Sequence, residues 1–491
     1  MAWIFGDSFD FYTSANDMIS GPAPLWSSID SSDPPTFPAG RFTGSHAMAS
    51  AVTGGFATKS GFGSNSSTIF ANFAMEQTVA LSGSTLELAV ELLDGATVQC
   101  TVGFRTDGAI LFYRGTTSGT VLATFTGAFS GLTWTHFQIE IIFSSTVGEI
   151  HIRENGSPTD TFAATGLNNI STANSYTNGV TIVTSANQYI DDFYMFNSTG
   201  AAPNTWQGDV RSVQLMAASD PATLLFSKSP AQGLFGSQVS AGTTSQTANI
   251  VRGQEITPTF DGIVTELTIN LNAGITGHIA GALYTVTGQS LIASTIILTN
   301  PSTGLNNLTF SSPPLVAGGT VYFIVLWADT TYVLNGSATW SGESAQALTY
   351  TGTFPATLGM GIIGEQSGLF YATVIPRSYD LINDAQEDGV TTYIYDGNVG
   401  DEDDFGIAPL TVTPVTIIAV VAKAFVSKSD SGARSGDLIL TSGGSTIDVG
   451  STLLSNSFGY LTLPAITDPN TGTTWTETGV NALTLGPKVS A

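Results

Sequence analysis

Turn-forming residues interrupt this chain at short intervals, and their spacing limits the secondary structure that it can form. Glycine supplies 54 of the 491 residues, and Ser, Thr, Asn and Asp recur beside it. The runs between these positions are short and rich in Val, Ile, Thr, Phe and Tyr, as in residues 86–90, 137–143 and 321–326. Long amphipathic helical patterns do not occur. This pattern predicts an all-β protein and disfavours the α/β enzyme folds.

The chain is acidic and sparsely charged. Its 13 Lys and Arg residues against 38 Asp and Glu residues give a net charge of −25 at pH 7. Nucleic-acid binding and polybasic membrane anchors both need clustered Lys and Arg, so we expect neither. With 42% hydrophobic residues, the chain can still bury cores. The single cysteine, Cys100, excludes an internal disulfide and a multi-cysteine zinc site.

The sequence predicts neither a membrane span nor a signal peptide. The most apolar stretch, around residues 415–421, is shorter than the roughly 20 residues that a spanning helix needs. The first ten residues contain Asp7 and Asp10 and lack a basic segment before an apolar one. We therefore expect synthesis in a cytoplasm, without membrane insertion.

Length and composition indicate several domains, since a domain usually has roughly 100–200 residues. A segment with Pro203 and Asn204 ends a first region rich in Phe, Ser and Gly, and a second β-rich region follows up to Pro376. The predicted organisation is a domain at 1–202, a joint strand at 203–220, a second sandwich at 221–376 and a smaller C-terminal β domain at 377–491.

Four parts of the first region carry motifs of one family. They are residues 5–10, the Gly40-Arg41 loop, the hairpin of residues 134–156 and the strand around Asp191-Asp192. The hairpin alternates apolar and polar residues, and Asn155-Gly156 supplies a turn with positive φ. These parts resemble the laminin-G/concanavalin-A-like lectin domains, which are jelly-roll sandwiches, of tailed-bacteriophage virion proteins. The resemblance implies the same fold for residues 1–202.

The joint and the C-terminal region resemble further segments of such phage proteins. The motifs are residues 208–211 (Gly-Asp-Val-Arg), 388–393 and 468–476. In the phage relatives the C-terminal motifs follow the joint after a short spacer, whereas here residues 221–376 intervene. Segments of that interval, 261–269, 281–284 and 316–322, resemble carbohydrate-binding-like jelly rolls.

We therefore predict that residues 221–376 form a domain inserted into the host fold. Asp220 and Arg377 should then be neighbours, because an inserted domain must begin and end at one place. The joint residues Val210, Val213 and Leu215 should pack against C-terminal strands such as residues 416–421.

No set of residues predicts catalysis. Glycosidases use two carboxylates about 5–9.5 Å apart, but Glu87, Glu91 and Glu140 do not form the paired-glutamate strand of jelly-roll glycanases. His136 and His151 lie on neighbouring arms of one hairpin, and ordinary strand positions explain them. The Gly-Asp-Ser block at Ser8 lacks the late histidine of one esterase family. We predict a protein that is not an enzyme and has no catalytic residues.

Two groups of residues are candidate binding sites. Asp191-Asp192 and residues 401–404 offer the clustered oxygens that Ca²⁺ prefers, although solvated acidic turns explain them equally well, and we expect no cofactor. Exposed aromatic rings in the second region could stack on sugars, and ordinary core packing is the alternative. The candidate glycan-binding residues are Trp327, Tyr332, Trp340 and Tyr350.

The resemblance implies a structural virion protein of a tailed bacteriophage, in the tail or fibre apparatus. Such a protein displays lectin-like domains that attach to host-surface glycans, and it is assembled into the virion in the bacterial cytoplasm. Its expected partners are other virion proteins, and the expected oligomer is a homotrimer. Two alternatives remain: a capsid decoration protein or head fibre, and a polysaccharide-degrading tail enzyme.

Overall fold

The structure is a computed structural model, and it confirms the all-β prediction. Its helices among the described residues are short: α-helices Ala15–Ile19 and Glu477–Asn481, and 3₁₀-helices Thr287–Gln289 and Tyr379–Leu381. None of these helices has the length and apolarity that crossing a bilayer requires. The described residues are 3–12, 14–19, 25–199, 205–221, 223–238, 242–336, 338–339, 344–362, 366–383, 391–414 and 416–491.

The chain divides into two compact units, and the sequence of the second interrupts that of the first. The first unit comprises Met1–Leu225, Asp384–Gly389 and Gly397–Ala491. The second unit comprises Phe226–Asn383 and Val390–Asp396.

In the first unit the segments on either side of the interruption lie together, and in the second unit the first and last segments pair. In the first unit, the backbone N–H of Leu225 donates to Oδ1 of Asp403 at 2.7 Å. In the second unit, Ser227–Ser229 pairs with Tyr393–Tyr395. An inserted domain requires such proximity of its ends. The predicted boundaries and the proximity of Asp220 and Arg377 stay predictions.

The first unit begins with a sandwich of two antiparallel sheets. Its strands Trp134–Ile142 and Gly148–Glu154 pair antiparallel, as predicted for the hairpin. The six-stranded sheet has the order Trp3–Asp7, Gln188–Asn197, Thr68–Gln77, Trp134–Ile142, Gly148–Glu154 and Phe162–Leu167. The seven-stranded sheet has the order Ser28–Ile29, Gly55–Ser60, Gly179–Thr184, Leu86–Asp94, Thr97–Arg105, Ile110–Arg114 and Thr120–Phe125.

Alternation along the strands builds the core between these sheets. Phe137, Ile139 and Ile141 face inward and are at most 1% exposed. Phe73 meets the Phe137 ring from the neighbouring strand at a centroid distance of 5.9 Å, and Phe104 meets it from the opposite sheet at 5.2 Å. Burial of each such side chain contributes about 1.5–3 kcal/mol, so aromatic packing is a main source of stability here.

The C-terminal part of the first unit is a smaller β domain. A two-stranded sheet of Val420–Val426 and Gly459–Ala465 packs beside its main sheet. That sheet has the order Ala217–Ser219, Phe405–Ile407, Thr484–Val489, Ser435–Ser442 and Ser445–Asp448, with Thr452–Leu453 beside Ser435–Ser442.

The joint before this domain packs differently from the prediction. Leu215 does pack in the C-terminal core with Ile417 and Val420. Val210, however, packs against Tyr194 of the first sandwich, and Val213 is 37% exposed. The expectation for Val210 and Val213 was wrong because the sandwich offers its own outer aromatic cluster to this segment.

The second unit is another sandwich of two sheets. One has the order Gly233–Ser237, Phe370–Ile375, Gly262–Leu271, Tyr332–Asn335 and Thr243–Gln246, with Gly304–Thr309 and Leu315–Val316 beside Gly262–Leu271. The other has the order Leu291–Ser294, His278–Thr285, Tyr322–Ala328, Ile250–Ile256, Ser344–Ala347 and Gly361–Ile362, with Leu298–Thr299 beside His278–Thr285. Two further two-stranded sheets pair Ser227–Ser229 with Tyr393–Tyr395 and Ala338–Thr339 with Gln366–Ser367.

Strand Tyr322–Ala328 is buried on both faces. Ile324 and Leu326 belong to the core between the sheets, whereas Phe323, Val325 and Trp327 face a second apolar cluster. Phe354, Leu358 and Met360, from the segment between strands Ser344–Ala347 and Gly361–Ile362, cover that second cluster.

Candidate functional site

The candidate site lies at one edge of the second unit, where three neighbouring strands begin or end. The pairing of Ile279 with Ala328 places His278 and Asp329 at this edge, because each is the next residue along its strand. Asn249 begins the third strand with a left-handed backbone, φ +59°, and its N–H donates to the carbonyl oxygen of Ala328 at 2.9 Å.

Asn249 also fixes the segment that carries Tyr350. The Oδ1 atom of Asn249 accepts from the backbone N–H of Tyr350 at 2.8 Å, and its carbonyl oxygen accepts from the N–H of Leu348 at 2.9 Å. Asn tolerates the left-handed conformation better than most residues, which explains its presence at this position.

Three rings meet at this edge. The Tyr350 ring meets the Trp327 ring edge-on, at a centroid distance of 5.1 Å and an interplanar angle of 64°. The His278 imidazole lies nearly parallel to Tyr350, at 6.4 Å and 12°. Trp327 is 1% exposed and its Nε1–H donates to the carbonyl oxygen of Leu348, so the indole is a fixed floor beneath a half-buried tyrosine.

A histidine–aspartate pair borders the tyrosine. Oδ1 of Asp329 accepts a hydrogen bond from the backbone N–H of His278 at 2.7 Å. Oδ2 of Asp329 lies 2.7 Å from Nδ1 of the His278 ring. Burial by itself would raise the pKa of Asp329, but these hydrogen bonds outweigh it and leave the pKa below its usual value. Asp329 is therefore ionised at neutral pH. In a neutral imidazole that donates through Nδ1, Nε2 is an acceptor.

The Tyr350 hydroxyl is neutral and unpaired. Burial, together with the nearby charge of Asp329, raises the pKa of this phenol. Its oxygen is buried and has no hydrogen-bond partner among the described residues. A buried hydroxyl without a partner loses hydrogen bonds that it makes in water, which is a local cost to stability.

Two of the four aromatic residues that the sequence singled out, Trp327 and Tyr350, come together here. Tyr332 lies elsewhere in the unit, in the core between the sheets, and is 2% exposed. Trp340 lies outside the described residues. Trp327 and Tyr332 are core residues, so the expectation that their rings face solvent is corrected; of the three described candidates, Tyr350 is the half-buried one.

The sequence reasoning did not single out His278, Asp329 or Asn249 as site residues. His278 and Asp329 are separated by 51 positions, and only the register of their two strands brings them together. Asn249 carries a weak local signal, because an Asn before a strand-like run suits a positive φ. Nothing in the sequence near His278 indicates its partner.

The carboxylates considered for catalysis have local explanations. Oε2 of Glu87 accepts from the Ser185 hydroxyl at 3.0 Å, and Glu87 is 9% exposed. Burial raises the pKa of Glu91 and of Glu140. The absence of catalysis stays a prediction.

The two hairpin histidines have separate environments. His151 lies opposite Glu140, and its ring nitrogens meet carboxylate oxygens of Asp160 and Glu149 at 2.8 Å each. His136 is fully buried, and burial lowers its pKa to about 4. The two rings therefore do not form a joint site.

Three motifs of the first sandwich, the Arg41 loop, the Asp191 strand and the 134–156 hairpin, converge at Asp209. Its carboxylate accepts hydrogen bonds from both terminal guanidinium nitrogens of Arg41, at 2.7 Å and 2.6 Å. Asp191 holds the same loop, because its Oδ2 accepts from the Arg41 N–H at 2.7 Å. Gly156 must lack a side chain, since its φ is +74° and a Cβ would lie 3.1 Å from the Asp209 backbone nitrogen. Asp209 also lies 3.9 Å from Nδ1 of His136. We name these residues the joint clasp.

The candidate Ca²⁺ residues do not fit that ion. Ca²⁺ takes six to eight oxygen ligands. Both oxygens of Asp191 already accept protein hydrogen bonds, and of Asp192 only Oδ2 has none. Across residues 401–404, Asp403 accepts from Leu225, and Glu402 forms an ion pair with Lys488. The described residues contain no group of three or more His, Cys, Asp or Glu side chains placed to hold a metal ion.

No protein-family model and no curated protein matches the chain. Solved structures similar to it include the CBM2 module of the evolved Dit of Lactobacillus casei BL23 phage J-1, at 11% identity and TM-score 0.27, covering 41% of this chain and 98% of that one. Another is the catalytic domain of a glycoside hydrolase family 131 protein from Coprinopsis cinerea, at 16% identity and TM-score 0.23, covering 43% and 99%.

A third similar structure is the LG1–3 region of the laminin α2 chain, at 10% identity and TM-score 0.18, covering 84% of this chain and 82% of that one. At these TM-scores the likenesses carry no argument about fold or function, and the β-sandwich description rests on the chain's own sheets.

Proposed function

We propose that this chain is a non-catalytic attachment protein that binds glycans at the edge formed by Tyr350, His278 and Asp329. The observation that carries the proposal is the tyrosine ring on a fixed indole floor, bordered by an ionised carboxylate and an imidazole. Sugar rings offer apolar C–H faces to aromatic rings and hydroxyls to polar groups, so both kinds of contact converge here.

The chemistry of the site favours a ligand rich in hydroxyls. Asp329 can accept hydrogen bonds, and the partly exposed imidazole of His278 offers a ring nitrogen to a ligand hydroxyl. A purely apolar ligand would leave these groups unpaired. A polyanion would face the ionised Asp329 on a chain with a net charge of −25, which opposes its approach.

The biological setting follows from the sequence motifs. The chain is a structural protein of a tailed-phage virion, placed on the tail or fibre apparatus, where copies of the site face the host surface. Repeated weak sites gain avidity by factors of about 10²–10⁴ without stronger individual contacts. The homotrimer and the association with other virion proteins belong to this proposal.

Binding measurements with purified bacterial capsular polysaccharides and O-antigens, immobilised on a sensor surface, test the site. Tyr350→Ala should weaken binding about tenfold or more, whereas Tyr350→Phe keeps the ring and isolates the hydroxyl. His278→Gln replaces the imidazole beside Tyr350 and leaves the Trp327 indole in place. Tyr371→Ala, at another half-buried tyrosine of this unit, is the matched control. Thermal unfolding of each variant separates lost binding from lost folding.

Binding that is unchanged in folded Tyr350→Ala and His278→Gln variants would overturn the site. Release of reducing sugar from the same polysaccharides would overturn the non-catalytic assignment. A structure of the virion that shows the chain on the capsid surface would contradict the tail assignment and support a decoration protein or head fibre.

A further inference from the structure

A second surface of the second unit stands out by its exposed rings. The chain has 7 Trp, 14 Tyr and 28 Phe residues. Among those in the described parts, Tyr393 at 36% and Tyr395 at 52% are the ones exposed by more than about a third. An exposed ring leaves apolar area in water, which does not stabilise the fold. Two such rings side by side on one face therefore indicate a binding surface.

The two rings share one face of a narrow ribbon. Tyr393 and Tyr395 are two positions apart on one strand, so their side chains point to the same side. The ring centroids are 5.8 Å apart, with planes inclined by 53°. The partner strand places Ser229 opposite Tyr393 and Ser227 opposite Tyr395. We name these four residues the tyrosine ribbon.

The tyrosine ribbon has the chemistry of a neutral sugar site. Its four side chains carry two aromatic faces and four hydroxyl groups, and none carries a charge at neutral pH. Lys228 and Ile394, which pair between them, alternate to the opposite face. Nζ of Lys228 donates to the carbonyl oxygen of Pro376 at 2.8 Å. The ribbon therefore offers no ionic contact, as a neutral ligand with C–H faces and hydroxyls requires.

Size also favours a glycan over a protein partner. A specific protein interface buries about 800 Å² on each side, which is far more than two tyrosines and two serines present. Two rings with centroids 5.8 Å apart are comparable in extent with a disaccharide.

We propose that the tyrosine ribbon is a second glycan-binding site, specific for neutral hexose oligosaccharides. This inference deepens the proposed function and rests on it, since both sites serve attachment. Their recognition chemistry differs: the edge at Tyr350 has an ionised carboxylate, and the ribbon has hydroxyls alone. Two sites on one chain add to its avidity for a long polysaccharide.

Saturation-transfer NMR and isothermal titration with neutral gluco-, galacto- and manno-oligosaccharides test the ribbon on the full chain. The wild type should give saturation transfer from tyrosine rings to sugar protons. The double variant Tyr393→Ala/Tyr395→Ala should bind at least tenfold more weakly. Ser227→Ala/Ser229→Ala tests the hydroxyls, and Tyr371→Ala is the control. Because the substituted side chains are exposed or half-buried at the surface, circular dichroism should be unchanged.

The outcomes separate the two proposals. If the ribbon variant binds like the wild type while Tyr350→Ala binds weakly, the ribbon site is wrong and the proposed function stands. If the ribbon variant alone loses binding, the ribbon site stands and the site at Tyr350 is wrong. No binding by the wild type to any neutral glycan overturns the ribbon. A dimer that dissociates in the ribbon variant, measured by light scattering, would make this face a self-interface and also overturn it.

Discussion

The first sandwich and the second unit use their polar side chains in opposite ways. In the first, the joint clasp joins its charged side chains to one another or to backbone atoms, as Arg41, Asp191 and Asp209 show. In the second, His278 and Asp329 form a pair at an edge, with exposed fractions of 46% and 34%. In the first arrangement protein donors occupy the carboxylates of Asp191 and Asp209, whereas the second leaves partly exposed groups available to a ligand.

This difference separates architecture from binding chemistry. The motifs that carry the family resemblance, around Arg41, Asn155-Gly156, Asp191 and Asp209, converge on one structural contact. The residues of the Tyr350 edge lie in the other unit and outside the motifs of the first region, and of the tyrosine ribbon only Tyr393 belongs to a phage-like motif, at residues 388–393. A motif resemblance therefore indicates how the first sandwich is held together, and a ligand must be sought by geometry.

The largest effect should come from the indole floor beneath the edge site. Trp327→Ala removes a fully buried ring and should lower the free energy of unfolding by about 3–5 kcal/mol. Tyr395→Ala, at an exposed ring, should change it by no more than about 0.5 kcal/mol. Denaturant unfolding of both variants checks the contrast. Equal losses would show that the ribbon ring is a packing residue and would remove its availability to a ligand.

The next effect concerns a buried ion pair in the first unit. Nζ of Lys423 lies 3.1 Å from Oδ1 of Asp7, with side-chain exposures of 7% and 0%. Tyr12 and Trp26 each donate to Oδ2 of Asp7 at 2.7 Å. Lys423→Met leaves a buried carboxylate unpaired and should cost about 3 kcal/mol.

The control for this pair is Lys488→Met, which removes the more exposed partner of Glu402 and should cost less than about 1 kcal/mol. A double variant with Asp7→Asn should recover part of the loss, since the coupling belongs to the pair. Strict additivity would mean that Lys423 stabilises the chain through its packing on Phe11 and Tyr460 instead.

A smaller effect should follow from opening the joint clasp. Asp209→Asn weakens two charge-assisted hydrogen bonds to Arg41 and should cost about 1–2 kcal/mol, because the carboxylate is partly exposed. Asp107→Asn removes a similar forked contact with Arg105, two positions away, and should cost less. Limited proteolysis in residues 205–216 should accelerate in the first variant alone. Identical proteolysis patterns would contradict a role in holding the joint.

The sequence predicted the fold where local rules decide it. Alternation over residues 137–143 and the positive φ of Asn155 and Gly156 follow from strand and turn chemistry. Prediction from the sequence failed where the burial of a residue depends on segments distant along the chain. Strand Tyr322–Ala328 has no alternation, because a loop covers its outer face, so nothing local shows that Trp327 is buried. The partnership of His278 and Asp329 depends on strand register, which the sequence does not show.

The smallest expected effect is the pH dependence of stability that the buried aspartates at the joint clasp should cause. Burial and the neighbouring Asp192 raise the pKa of Asp191 to about 8, whereas an aspartate in the unfolded chain titrates near about 3.9. Between these values the folded state keeps a proton that the unfolded state has lost. The stabilisation from this group is therefore complete below about pH 4 and is lost as the pH rises towards 8.

Burial raises the pKa of Asp192 to about 6 and also raises that of Asp10, so both groups change stability in the same direction. Hydrogen bonds to Arg41 lower the pKa of Asp209 despite burial, so the contribution of this group changes mainly below about pH 4. Burial lowers the pKa of His136 to about 4, so His136 opposes the fall between about pH 4 and pH 6.5. The wild-type free energy of unfolding should fall from pH 4 to pH 8, and Asp191→Asn should make that fall shallower, because an amide does not titrate. Denaturant midpoints at each pH measure the two slopes. Parallel slopes would mean that Asp191 is ionised in the folded chain, with Arg41 compensating its charge, and the clasp would then be an ordinary ion-pair network.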